Sequence, residues 1–151
     1  MRAATELEAL QQTLAAEHAA VHVLGVLGAQ TSRSATPALA SAVGAAYAAH
    51  RGRRDQLVSV VRAAGGTPVG AEPAYRLPED LGTTGDPAAA VTREARRVEA
   101  DCAATYAWLV GTTTEHRAWA VTALTDAAVR GLGFGATAET LPGVTSGSPT
   151  T

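Results

Sequence analysis

The sequence predicts an all-α protein, a four-helix bundle made of two antiparallel hairpins joined by a long crossover loop. Three observations carry this expectation. Alanine, the strongest helix former, occurs 35 times in 151 residues. Glycine and proline, which interrupt helices, are gathered in a few places. Apolar residues recur at alternating three- and four-residue steps, the period of one helix face.

The first helix is read from about Thr5 to Gln30, where Leu7, Leu10, Leu14, Glu17, Val21, Leu24 and Gly28 form one stripe. Thr36-Pro37 then offers an N-cap followed by proline at the first helical position. The second helix runs from there to about Ala64, with Leu39, Val43, Ala46, His50, Leu57 and Val61 on one face. Gly65-Gly66 supplies the stop. Residues 66–85 hold three of the seven prolines and show neither helical nor strand periodicity. Asp86-Pro87 repeats the cap signal, and a third helix follows through Val91, Ala95, Val98, Cys102, Thr105 and Leu109 to about Val110, with Gly111 ending it. Thr112–Thr114 are expected to cap the fourth helix, with Glu115 helping at its positive end. That helix should end near Gly131 or Gly133.

Helices of about 25 residues are ~38 Å long, and 20 extended residues reach ~66 Å, so the connection after the second helix can run the whole bundle. The third helix would then start at the same end as the second. Residues 1–144 are read as one domain. Phe134 and Leu141-Pro142 are expected to pack down, and residues 145–151 to form a disordered tail.

Charge and composition exclude several functions. Fourteen acidic residues stand against twelve basic ones, all of them Arg, for a formal charge of −2. No electrostatic footprint for nucleic acid is present. The apolar run Ala19–Ala29 is too short for a membrane span and contains His22. Glu6, Glu8 and Glu17 interrupt what a signal peptide would need, and one cysteine, Cys102, excludes an intrachain disulfide. A cytoplasmic protein is expected. No Ser-His-Asp signature, phosphate-cradling glycine loop or C-x-x-C pair occurs.

Glu17 stands in the centre of the first helix's apolar stripe, where a leucine would be expected. A buried carboxylate without a partner costs several kcal/mol, so the fold must supply one. If the first hairpin turns between Arg33 and Ser34, Glu17 and His50 lie at equal sequence distance from the turn and at equal height. If the second turns near Thr112-Thr113, Glu99 and Asp126 match in the same way. Glu17, His50, Glu99 and Asp126 thus come from four helices at mid-bundle height.

Glu17-His18, the HRGRRD segment at His50–Asp55 and the LPGV segment at Leu141–Val144 carry a resemblance. The chain resembles the ferritin-like superfamily, and more narrowly a family of ferritin-like domains of uncharacterised role in actinobacterial proteins. Ferritin-like di-iron proteins place a Glu on the first helix, E-x-x-H on the second, a Glu on the third and E-x-x-H on the fourth. Here Glu17 matches the first position and Glu99 the third. The second keeps His50 but has Tyr47 in place of Glu. On the fourth, Asp126 replaces Glu and Val129 stands where His belongs. The resemblance implies metal ligation by Glu17, His50, Glu99 and Asp126, with two of six ligands missing and a standard ferroxidase centre in doubt.

Two readings of this layer follow. In one it is a buried hydrogen-bonded cluster, retained from a metal-binding ancestor and neutralised by Arg54, Tyr47 or Tyr106. In the other, one imidazole and two or three carboxylates bind Fe, Mn or Zn in an oxidase or metal-storage protein. His18 and His22 share one side of the first helix but lack a third ligand; half-exposed border positions are expected. The Arg51, Arg53, Arg54, Arg62 and Arg93, Arg96, Arg97 groups, interleaved with Asp55, Glu94 and Glu99, read as solvated faces, with Arg54 able to reach Glu17. Cys102 reads as a small core residue. The function expected is a non-catalytic binding or structural module, a homodimer with Trp108 or Trp119 anchoring the interface.

Overall fold

The structure, a computed structural model, describes residues 5–83 and 85–144; the expected tail at 145–151 lies outside them. Four helices and no strand are present among the described residues: α1 (Glu6–Ala29), α2 (Pro37–Ala63), α3 (Pro87–Thr112) and α4 (Arg117–Gly133). No helix among these residues is long and apolar enough to cross a membrane.

Local chemistry sets the helix ends. Thr5 and Glu8 form a reciprocal capping box at the start of α1. Pro37 and Pro87 occupy first turns, where a missing N–H costs nothing. Asp86 accepts from the Ala89 N–H, whereas Thr36 makes no side-chain cap bond to α2. Two expectations need correction at the second hairpin. Gly111 does not end α3, which continues to Thr112, because a glycine in a helix with its i→i−4 bonds intact is a cost rather than a stop. α4 starts later than expected, at Arg117, because Glu6 of α1 gathers the turn: its carboxylate accepts from the Thr113 hydroxyl, the Glu115 N–H (3.2 Å) and His116 Nδ1 (3.3 Å). Those bonds, the Thr113 hydroxyl first, hold the Glu6 carboxyl below its ordinary range against the opposing effect of desolvation.

The connection after α2 runs alongside α1 for its whole length. Near its start, Gln11 binds Thr67 and Val69 through both ends of its amide, at 2.6 and 2.9 Å. Further along, His18 Nε2 donates to the Val69 carbonyl (3.0 Å), and the His22 ring meets the Tyr75 ring at 5.1 Å. Leu77 and Leu81 pack on the core, and Gly82 ends up near Gln30. α3 therefore starts beside the α1–α2 turn, parallel to α2 and antiparallel to α1. Each helix packs closely on its hairpin partner, and α1 packs on α3 to join the two hairpins.

The core is divided. Leu10, Leu14, Leu57, Val61 and Leu109 form one apolar cluster near the α1 N-terminus. Leu24, Leu27, Val43, Val91, Val98 and their neighbours form another toward the α1–α2 turn. Phe134, just beyond α4, seals the second cluster as expected. Leu141 does not pack down and is 65% exposed. The segment's contact is made instead at Gly143, whose φ of +74° and closeness to the Ala103 carbonyl leave no room for a side chain.

Candidate functional site

Between the two apolar clusters lies a polar layer. Glu17, His50 and Glu99 are 0%, 0% and 1% exposed. Each occupies a stripe position that its helix turns inward, so periodicity alone brings them together. His50 Nδ1 donates to Glu17 Oε2 (2.8 Å), and His50 Nε2 faces Glu99 Oε2 at 3.4 Å. The other Glu17 oxygen accepts from the Tyr106 hydroxyl, and the other Glu99 oxygen accepts from Arg130 Nε (2.9 Å). Every carboxylate oxygen and both ring nitrogens are thus engaged by protein groups.

Asp126 does not join this layer. Its side chain is 51% exposed and accepts from Arg53 Nη2 (2.7 Å). The inward positions of α4 are Ala120, Ala123, Ala127 and Gly131, and Asp126 stands at their border. Glu99 is met one turn further along α4, by Arg130. Arg54 does not reach Glu17 either: it binds Asp55 at the surface (2.7 Å). The buried guanidinium is Arg53, which lies over the Tyr106 ring at 5.4 Å. The inward residues of α2 are Val43, Ala46, His50, Arg53, Leu57 and Val61. A strict three–four alternation through His50 selects Arg53, and that signal was available in the sequence. Tyr47 is half-buried against α1 near Gly25, and the phenol at the centre is Tyr106. Glu94 is another departure from a solvated face: it is buried and bound by Arg97.

The electrostatics follow from these partners. Desolvation alone would discharge the His50 imidazole, but the Cys102 sulfur and the Glu17 and Glu99 carboxylates around the ring outweigh it and raise its pKa from 6.5 to about 11. His50 is therefore an imidazolium at neutral pH. Burial pushes Glu99 upward, yet its bonds to His50 and Arg130 outweigh this and keep it below the usual carboxylate range. Burial raises the Cys102 thiol and the Tyr106 phenol, so both stay protonated. The acids Glu17, Glu99 and Asp126 are matched in number by His50, Arg53 and Arg130.

A metal ion needs a neutral imidazole lone pair and open carboxylate oxygens. This donor set offers neither, since His50 uses both nitrogens toward carboxylates and Tyr106 and Arg130 hold the remaining oxygens. Among the described residues no group of three or more His, Cys, Asp and Glu side chains is arranged to hold an ion. His18 and His22 are spent on the crossover rather than on each other.

The architecture is that of an all-α helical-bundle domain with an acid–imidazole–acid chain through its centre. Residues 9–146 match the family described as Domain of unknown function (DUF4439), and the chain belongs to that family. Among solved structures it is similar to a conserved hypothetical protein, rv2844, from Mycobacterium tuberculosis. The two share 31% identity over 85% of this chain and 93% of that one, with a TM-score of 0.72. No curated protein matches the chain.

Proposed function

We propose that the protein is a non-catalytic binding or structural module, a ferritin-like bundle acting as a homodimer, in which Glu17, His50 and Glu99 are a degenerate metal site turned into a structural lock. The observation that carries this reading is the double engagement of His50. An imidazolium between two carboxylates supplies the positive charge that a cation would bring, and it occupies the nitrogen a cation would use. The alternative is an Fe, Mn or Zn oxidase or storage protein. It requires His50 to lose its proton, and Tyr106 and Arg130 to release their oxygens.

Metal analysis of protein purified without chelator or affinity metal tests the choice. Metal-free, folded protein that stays empty after exposure to Fe(II), Mn(II) and Zn(II) is the expected result. Near-stoichiometric metal that disappears in Glu17→Ala and His50→Ala would establish the alternative.

Support for a homodimer comes from an outer stripe of α4. Val121, Val129 and Leu132 are exposed at helical spacing, and Trp108 of α3 is 40% exposed. Trp119 is not available as an anchor, because it packs edge-on against Tyr106 and donates to Gln56 (2.8 Å). Light scattering is expected to give a dimer at micromolar concentration, and Val129→Glu a monomer, since it places a charge within the apolar patch. A monomeric wild type would remove the dimer.

A further inference from the structure

A cavity of about 450 Å³ opens beside the polar layer, between α1, α3 and the crossover. It exists because α1 presents small side chains, Ala16, Ala19 and Ala20, at the height where the crossover passes over it. Its buried floor is Ala20, Val23, Val98 and Cys102, and Leu77 and Pro78 form the roof. The roof is fixed from α1 by the His18–Val69 hydrogen bond and the His22–Tyr75 ring contact, so the cavity is preformed.

The mouth carries charge. Arg97 is bound by Glu94 and Asp101, but the exposed Arg76 makes no ion pair among the described residues. Arg76 thus stands at the edge of an apolar chamber as a guanidinium without a carboxylate partner among the described residues. The lining runs from Ala16 to Val23 on α1 and from Arg97 to Thr105 on α3, roughly 11 Å at 1.5 Å per residue. The volume lies within the usual range for small-molecule sites.

We propose that this cavity binds an unbranched medium-chain carboxylate, its aliphatic chain lying between α1 and α3 and its carboxylate meeting Arg76 at the mouth. The proposal rests on the reading of the protein as a binding module and gives that module a ligand class. Flat aromatic acids suit the site less well, because its length follows the helix axes and its floor, Ala20, Val23 and Val98, is aliphatic.

Titration calorimetry of the full chain with butyrate, hexanoate, octanoate and laurate is the test. Affinity is expected to rise roughly fourfold per methylene and to level off near octanoate. Arg76→Ala is expected to weaken octanoate about threefold to fivefold, the value of an exposed charge pair. Ala19→Phe, which fills the chamber, is expected to abolish binding while circular dichroism remains that of the wild type. Ala16→Leu serves the same purpose if the larger residue prevents folding. No heat with any acid at millimolar concentration would overturn the proposal, and so would octanoate binding that survives a folded, filled variant. Octan-1-ol binding as tightly as octanoate, with no effect of Arg76→Ala, would overturn the carboxylate assignment. Metal content and oligomeric state measured on the same samples report separately on the module itself.

Discussion

Replacing His50 with alanine is expected to lower the free energy of unfolding by on the order of 3–5 kcal/mol, the range for removing one partner of a buried ion pair. The loss has two parts. Glu17 and Glu99, fully buried on either side of the ring, lose the cation that lies between them. A void the size of an imidazole also opens at the junction of the two apolar clusters. Urea unfolding followed by helical circular dichroism checks the value, and a decrease below about 1 kcal/mol would show that the ring is not the electrostatic keystone of the layer. Glu17→Gln in the His50→Ala background is expected to recover part of the loss, because it removes one of the stranded charges. Non-additivity of that pair measures their coupling directly.

The second large effect is a fall in stability as pH rises above neutrality. The His50 pKa is higher in the folded state than the ordinary 6.5. Its contribution is therefore fully present below about 6.5 and is lost as pH rises through the folded value near 11. Within that window the unfolded chain has released the proton that the folded chain keeps, and the slope approaches about 1.4 kcal/mol per pH unit. Glu99 acts on the acid side. Its folded pKa is lowered, so its contribution is present above about 4.5 and is lost as pH falls through the lowered value. Greatest stability is expected between these limits. Urea titrations at about pH 6 and about pH 8.5 should differ by more than 1 kcal/mol in the wild type and by little in His50→Gln. The Cys102 thiol and the Tyr106 phenol act in the same direction, but only above their ordinary values of 9.0 and 10.0. The chosen interval isolates the imidazole.

Much of this was legible in the sequence. The helices follow from alanine content, three–four spacing and two cap-proline pairs. The crossover's path follows from length alone, since the two hairpins can be joined in this way only by a segment that spans the bundle. The meeting of Glu17 with His50 follows from equal sequence distance to one turn, because that turn is short and both helices are regular. The same counting failed for Glu99. Its hairpin turn is displaced by the Glu6 cap, which moves the start of α4, and a shift of one turn exchanges Asp126 for Arg130. Arg53 and Arg54 differ by one residue, about 100° of rotation, which is enough to move a guanidinium from the core edge to solvent. Tyr106 could be suspected but not assigned, since its hydroxyl reaches Glu17 across 89 residues of chain. The cavity could not be anticipated, because it depends on which alanines of α1 lie under the crossover.

The side of the bundle where α2 faces α4 has a consequence for how the protein opens. These helices are linked by long side chains, Arg53 to Asp126 and Gln56 to Trp119, rather than by the close backbone approach seen within each hairpin. The buried guanidinium there leaves Arg53 Nη1 without a partner among the described residues. Such a face yields before a packed apolar one. Native-state amide exchange should therefore show α4 surrendering its protons ahead of α1, and added salt should hasten that breathing by weakening the arginine–carboxylate contact that bridges the gap. The centre of the molecule, although sealed from water on average, has a hinge side.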